Sequence, residues 1–93
     1  MIVSFRNIAT QRIYDQHYVK SIPNDVAKVA LRKLIMINNA ATINDLRVPP
    51  GNRLEKLTGD RFGQYSIRIN DKYRICFRED SGDFYDVEIT DYH

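Results

Sequence analysis

A chain of 93 residues with 43% hydrophobic and 28% charged residues suits one small folded domain and is not typical of a disordered segment. Its single cysteine, Cys76, excludes an internal disulfide and favours a reducing compartment. No apolar run approaches a membrane span of about 18 residues, and the N-terminus has no signal-peptide core. The sequence therefore predicts one cytoplasmic domain over residues 1–93, without a membrane partner.

Charge is divided unevenly along the chain, although the formal net charge is only +2. Residues 1–78 hold all 14 Lys and Arg but only six of the 12 acids, so their net charge is +8. Residues 79–93 hold the other six acids and no base, so their net charge is −6. A basic body favours a polyanionic partner such as nucleic acid. Pairing of acidic with basic strands across a sheet explains the same pattern equally well.

The first half of the chain has helical patterns after a short apolar run at residues 2–5, which predicts a first strand. Residues 7–19 are predicted to form a first helix with Asn7 as its N-cap. Residues 21–40 form the clearest predicted helix. The apolar stripe of this second helix consists of Val26, Val29, Ala30, Leu34 and Ile37. Lys33 is expected to lie off that stripe.

The second half alternates with a period of two after the breaker at residues 49–51, which predicts strands separated by turns near 71–72 and 81–83. The apolar faces are Tyr65, Ile67 and Ile69, then Tyr73, Ile75 and Phe77, then Tyr85, Val87 and Ile89. Packed on the helices, these strands predict a small two-layer α+β domain: an N-terminal strand, two helices and a mainly antiparallel sheet.

On the polar face of the sheet, regular pairing of neighbouring strands places Arg68 beside Arg74. Two such cations repel unless an anion lies between them. Asp86 and Glu88 on the next strand are candidates for that anion, and so is a bound phosphate.

Metal and nucleophile motifs are missing from the sequence. His17, Cys76 and His93 do not have the spacing of metal ligands, and no Gly-rich phosphate loop occurs. Cys76 falls inside a predicted strand and is expected to be a buried, inert thiol. We therefore predict no metal and no cofactor.

The last three residues offer acid–base chemistry. His93 can transfer a proton near neutral pH, Asp91 can orient it, and Tyr92 can stack on a base or bond a phosphate oxygen. Arg61, Arg68 and Arg74 can hold a phosphodiester. Together these groups suit a metal-free ribonuclease that uses the ribose 2′-OH. The alternative is that residues 91–93 are a solvated chain end without a catalytic role.

Alternation restricts how the last strand can continue. A regular strand would place Asp91 and His93 on the apolar face with Val87 and Ile89, where ionisable groups are costly. The strand is therefore expected to bend or end near Thr90.

Four motifs occur in order along the chain: L-x-x-L-x-G-D-R at 54–61, S-I-R-I-N at 66–70, Y-R-I-x-F at 73–77 and D-Y-H at 91–93. With them the chain resembles the HigB-like branch of the RelE/ParE toxin superfamily of bacterial type II toxin–antitoxin modules. The resemblance implies a RelE-like fold and metal-independent cleavage of mRNA on the ribosome. It also implies a HigA-like helix-turn-helix antitoxin, through which the toxin reaches operator DNA.

The resemblance also implies roles for individual residues. Asp91, Tyr92 and His93 correspond to the terminal catalytic group, and Arg74 to the arginine at the scissile phosphate. Glu55 occupies a position where certain relatives have histidine, so the general base is either Glu55 or a terminal residue. The residues expected to bind RNA or phosphate are Lys56, Arg61, Arg68 and Arg78.

Two other functions compete with the ribonuclease. A gyrase poison of the ParE type needs no acid–base pair, so the terminal Asp-Tyr-His argues against it. The other is a largely non-catalytic co-repressor that binds an antitoxin, which is partly compatible with a toxin.

Overall fold

The computed structural model describes residues 1–91 of the chain. Two helices come first, α1 at Ile8–Tyr14 and α2 at Asn24–Asn39. Short 3-10 turns at Ile43–Arg47, Pro50–Asn52 and Gly59–Arg61 surround the first of four strands, which are β1 (Glu55–Lys56), β2 (Tyr65–Arg68), β3 (Tyr73–Asp80) and β4 (Asp83–Asp91). In these residues no helix is both long and apolar enough to cross a membrane.

Both predicted helices are present but shorter than their apolar patterns suggested. Asn7 caps α1 as predicted, since its Oδ1 accepts a hydrogen bond from the backbone N–H of Thr10 at 2.9 Å. The chain leaves α1 after Tyr14 through Gln16, which has a φ of 64°. His17 consequently lies in an exposed loop rather than on the helix.

Lys33 contradicts its predicted place off the apolar stripe of α2, because its side chain is only 6% exposed. Seven residues separate it from the buried Val26, which is two helical turns and therefore the same face. Its ammonium is satisfied there by donating a hydrogen bond to Oδ1 of Asn52.

The four strands form one antiparallel sheet in the order β1-β2-β3-β4. Arg68 pairs with Arg74, which confirms the predicted neighbours on the polar face, and Ile67 pairs with Ile75 on the apolar face. The apolar face packs on the helices to form the core, whose buried members include Ile13, Val26, Ala30, Leu34, Ile37, Leu46, Ile67, Ile75, Phe77, Phe84 and Val87. The two-layer α+β prediction is therefore confirmed.

The predicted N-terminal strand at residues 2–5 is reduced to two parallel bridges, Ile2 with Phe84 and Phe5 with Val87. The N–H of Phe84 donates to the carbonyl of Met1 at 2.9 Å, so the segment still supplies a backbone hydrogen-bond acceptor to β4. It also covers the outer edge of β4, which would otherwise offer unpaired backbone groups to another chain.

A bulge in β4 changes which residues face the core. Its register with β3 shifts between Cys76 and Arg78, and Asp86 has a φ of 53°. The extra residue turns Phe84 inward together with Val87, so the prediction that Tyr85 shares the face of Val87 is wrong.

The last strand was expected to bend or end near Thr90, and β4 as described runs to Asp91, which pairs with Tyr73. Asp91 is exposed, and its carboxylate lies 3.8 Å from Nζ of Lys72. Alternation therefore continues without burying this charge, because the carboxylate remains accessible to solvent at the end of the strand.

The bulge gives a stability prediction for Asp86. Glycine fits its left-handed backbone, whereas alanine keeps the unfavourable Cβ without the ion pair at 3.7 Å to Arg78. In urea denaturation, Asp86→Gly should be more stable than Asp86→Ala by about 1 kcal/mol. Both variants lose the same carboxylate, so equal stabilities would contradict a strained position.

Candidate active site

A cavity of about 280 Å³ opens on the face of the sheet opposite the core. Three neighbouring strands contribute to it: Glu55 begins β1, Arg68 ends β2 and Arg74 lies near the start of β3. Their pairing sets this arrangement, since Glu55 is opposite Ser66 and Arg68 is opposite Arg74. The lining residues are Arg53, Glu55, Arg68, Asn70, Asp71 and Arg74.

Arg74 is the most firmly held side chain of this cavity, with an exposed fraction of 9%. Its Nε donates to Oγ of Ser66 at 2.7 Å, and its Nη2 donates to the backbone carbonyl of Arg53 at 2.6 Å. The carboxylate of Glu55 lies 3.9 Å from the same Nη2. Such fixed, charge-assisted contacts hold a guanidinium ready for an anion without reorganisation.

Arg68 is held more loosely beside Arg74. Its Nη2 donates to Oδ1 of Asp71 at 2.5 Å, and the side chain of Asp71 is 99% exposed. Glu55 and Asp71 are therefore the acids beside the two arginines, rather than the predicted Asp86 and Glu88.

The two acids of β4 that were predicted to lie beside Arg68 and Arg74 form ion pairs with other basic residues. Asp86 lies 3.7 Å from Nε of Arg78, and Glu88 accepts from Nη1 of Arg61 at 3.1 Å. Glu88 pairs with Cys76 and lies one row further along the sheet than Arg74. This offset explains why sequence alternation assigned the correct face but the wrong partners.

The four residues predicted to bind RNA or phosphate do not all meet in the cavity. Arg68 lines it, whereas Arg61 lies beside Glu88 and Arg78 beside Asp86 on neighbouring parts of the polar face. Lys56 pairs with Tyr65, so alternation places it on the face opposite Glu55.

The terminal trio is described only in part. Asp91 follows Thr90, which is the partner of Arg74, so its carboxylate projects from the other face of the sheet. Tyr92 and His93 lie outside the described residues, and their catalytic roles stay predictions. Within residues 1–91, no group of His, Cys, Asp or Glu side chains has an arrangement that could hold a metal ion.

Sequence reasoning missed Arg53, Asn70 and Asp71 as lining residues of the cavity. Arg53 comes shortly after the Pro-Pro-Gly breaker and has a left-handed φ of 44°, which no periodic sequence pattern predicts. Oδ1 of Asn70 accepts from the backbone N–H groups of Lys72 and Tyr73 at 2.8 Å each. Asn70 thus shapes the turn that brings Asp71 to Arg68, and its turn-type sequence was the available signal.

Solved structures define the fold class. The toxin–antitoxin structure "YoeB-YefM complex from Staphylococcus aureus" matches with a TM-score of 0.63 and 20% identity, covering 100% of this chain and 98% of that chain. The fold is thus that of small RelE-like α+β toxins.

A family model described as "RelE-like toxin of type II toxin-antitoxin system HigB" matches residues 3–93. "Toxin HigB-1" of Vibrio cholerae serotype O1 is 37% identical over 79 residues, 84% of this chain and 83% of the relative. "Endoribonuclease HigB" of Proteus vulgaris is 32% identical over 94 residues, 100% of both chains. The chain belongs to the HigB-like toxin family, which confirms the resemblance found in its motifs.

Cys76 lies on the same face as the site, and its burial makes it unreactive. Burial raises the pKa of Cys76, although a hydrogen bond with the Thr90 side chain partly offsets this. Iodoacetamide at pH 8 should alkylate the folded protein at least about 10³-fold more slowly than the urea-unfolded protein. The chain has no other cysteine, so the mass shift reports this thiol alone, and rapid alkylation of the folded protein would contradict the prediction.

Proposed function

We propose that this toxin is a ribosome-dependent mRNA endonuclease of the cytoplasm that cleaves without a metal. The observation that carries the proposal is the cavity in which Arg74, Arg68 and Glu55 meet. The guanidinium groups of Arg74 and Arg68 suit a phosphodiester, and the carboxylate of Glu55 suits a proton acceptor for its neighbouring hydroxyl. Family membership and the relative named an endoribonuclease support the same reaction class.

In the proposed reaction the base removes the proton of the ribose 2′-OH, and the 2′ oxygen attacks the adjacent phosphorus. The bond from phosphorus to the 5′ oxygen then breaks, and an acid gives that oxygen a proton. The products are a 2′,3′-cyclic phosphate and a 5′-hydroxyl. Arg74 and Arg68 stabilise the charge that grows on the phosphate.

We assign the base role to Glu55, because its carboxylate lies 3.9 Å from Nη2 of Arg74 and its side chain is 56% exposed. A phosphate held by Arg74 would thereby lie next to a carboxylate that substrate can reach. His93 is the proposed acid, and Tyr92 is proposed to stack on a base. Asp91, whose carboxylate projects from the opposite face of the sheet, is proposed to influence His93 from outside the cavity. Arg61 and Arg78, on the same polar face, are proposed contacts for flanking phosphates, and Lys56 has a lesser electrostatic role.

The proposed partner in the cell is a HigA-like helix-turn-helix antitoxin, which links the toxin to operator DNA. The structural neighbour is itself a toxin–antitoxin complex. A second cavity of about 320 Å³ between α1 and α2 is lined by apolar side chains, among them Ala27 and Leu31, and by the basic Lys28. Such a surface suits a partner with apolar and acidic side chains.

The function is tested by mapping 5′ ends of mRNA in a translation extract with wild-type protein and with His93→Ala. Wild type should produce new ends only while ribosomes translate, and the variant should lose cleavage by about 10²-fold or more because the acid is missing. A chelator selective for transition metals, which leaves the Mg²⁺ of the ribosomes in place, should not change the wild-type rate.

Addition of the cognate antitoxin provides the control, since it should suppress the wild-type cuts. A fully active His93→Ala protein would contradict the assigned acid. Intact mRNA together with DNA breaks would instead indicate a gyrase poison, and intact mRNA with tight antitoxin binding would indicate a co-repressor.

The base is tested at Glu55 with two variants that differ in proton affinity. Glu55→Gln should lower the cleavage rate by about 10²–10⁴-fold, because the amide keeps the shape but accepts no proton. Glu55→His should recover much of the rate and move the acidic limb of the pH–rate profile towards that of an imidazole, near 6.5. An unchanged profile in an active Glu55→His protein would place the base elsewhere, in the terminal residues.

A further inference from the structure

A buried polar chain leads from α2 to the cavity. Lys33 donates a hydrogen bond to Oδ1 of Asn52, which is fully buried. Nδ2 of Asn52 in turn donates to the carbonyls of Leu46 at 3.1 Å and Val48 at 3.4 Å. One asparagine thus ties helix α2 to the loop of residues 43–53.

The loop ends in a strained residue that touches the site. Arg53 has φ 44° and ψ 58°, and its N–H donates to the carbonyl of Pro50 at 3.1 Å. Its own carbonyl accepts the 2.6 Å hydrogen bond from Nη2 of Arg74. A left-handed non-glycine residue costs about 1–2 kcal/mol, so the surrounding contacts must hold it in place.

We propose that Lys33 and Asn52 are positioning residues that act on Arg74 through the carbonyl of Arg53. The proposal rests on the proposed function, in which Arg74 holds the scissile phosphate. Loss of the Lys33–Asn52 contact would release the loop, and the carbonyl that fixes Nη2 of Arg74 would move with it.

Stability alone is a poor reason for this lysine. Burial lowers the pKa of Lys33, and the nearby Arg32 and Arg68 lower it further, so the ammonium is held at a cost. Apolar replacement of a buried polar pair is often neutral or stabilising. Such a replacement would, however, remove the hydrogen bonds from Asn52 to the carbonyls of Leu46 and Val48.

The test uses the double variant Lys33→Met/Asn52→Leu, which fills the same space without polar groups. Its melting temperature should fall moderately, because the buried carbonyl of Leu46 loses its hydrogen-bond donor. Its rate of mRNA cleavage at saturating toxin should fall by about 10²-fold, because a displacement near 1 Å at the reacting group has that effect. The half-saturating toxin concentration should change much less, since the proposed flanking contacts Arg61 and Arg78 are held by other residues.

Two further variants separate positioning from folding. Asn52→Asp keeps the acceptor for Lys33 but removes the donor to Leu46 and Val48, and it should also slow cleavage. Ile37→Val removes one buried methylene group from the same helix without touching the network, and it should keep the wild-type rate at a lower melting temperature.

A direct readout is the NMR signal of the Arg74 Nε–H, which is hydrogen-bonded to Ser66. This signal should shift in Lys33→Met/Asn52→Leu and Asn52→Asp and stay in place in Ile37→Val. An unshifted signal with an unchanged rate in folded variants would overturn the inference, as would an equal loss of rate in Ile37→Val. Wild-type activity in Arg74→Lys would show instead that the proposed role of Arg74 is wrong.

Discussion

The guanidinium of Arg74 is the constraint around which the polar face is built. A buried cation is costly unless hydrogen-bonded, and here Nε is taken by Ser66 and Nη2 by the carbonyl of Arg53. Hydrogen bonds to charged groups contribute about 1.5–3 kcal/mol each, enough to keep the side chain in one orientation. To supply these acceptors, the chain must keep Ser66 opposite Cys76 in the sheet and must bend Arg53 into the left-handed region.

The sheet register that makes this possible comes from the core. Ile67 and Ile75 pair on the apolar face, and a slip by one residue would exchange them for Arg68 and Arg74. Burial of the isoleucines therefore fixes the position of the arginines. The core thus stabilises the positions of Arg68 and Arg74, although the ion pairs of the site contribute little themselves.

Features that repeat along the chain were predictable from the sequence, and features that depend on one local conformation were not. Alternation predicted the pairing of Arg68 with Arg74, and helical spacing predicted the buried Val26, Ala30, Leu34 and Ile37. The bulge at Asp86 shifted the phase of β4 and so moved Phe84 inward. The burial of Lys33 depends on a partner 19 residues away, Asn52, which no local pattern could identify. The motif resemblance supplied Glu55 and Arg74, whereas Arg53 enters the site through its backbone rather than its side-chain type.

The two acids of the cavity explain how two arginines can lie side by side on the polar face. Without Glu55 and Asp71, Arg68 and Arg74 would repel each other across the β2–β3 pair. Asp71 is almost fully exposed, and exposed ion pairs contribute only about 0–1 kcal/mol, so a phosphate can displace it from Arg68 at little cost. Glu55 lies 3.9 Å from Nη2 of the buried Arg74, which is too long for a hydrogen bond. In the proposed reaction a phosphate replaces Asp71, and this phosphate and the carboxylate of Glu55 together balance the charges of Arg68 and Arg74. That arrangement keeps a carboxylate beside the phosphate, as the base role proposed for Glu55 requires.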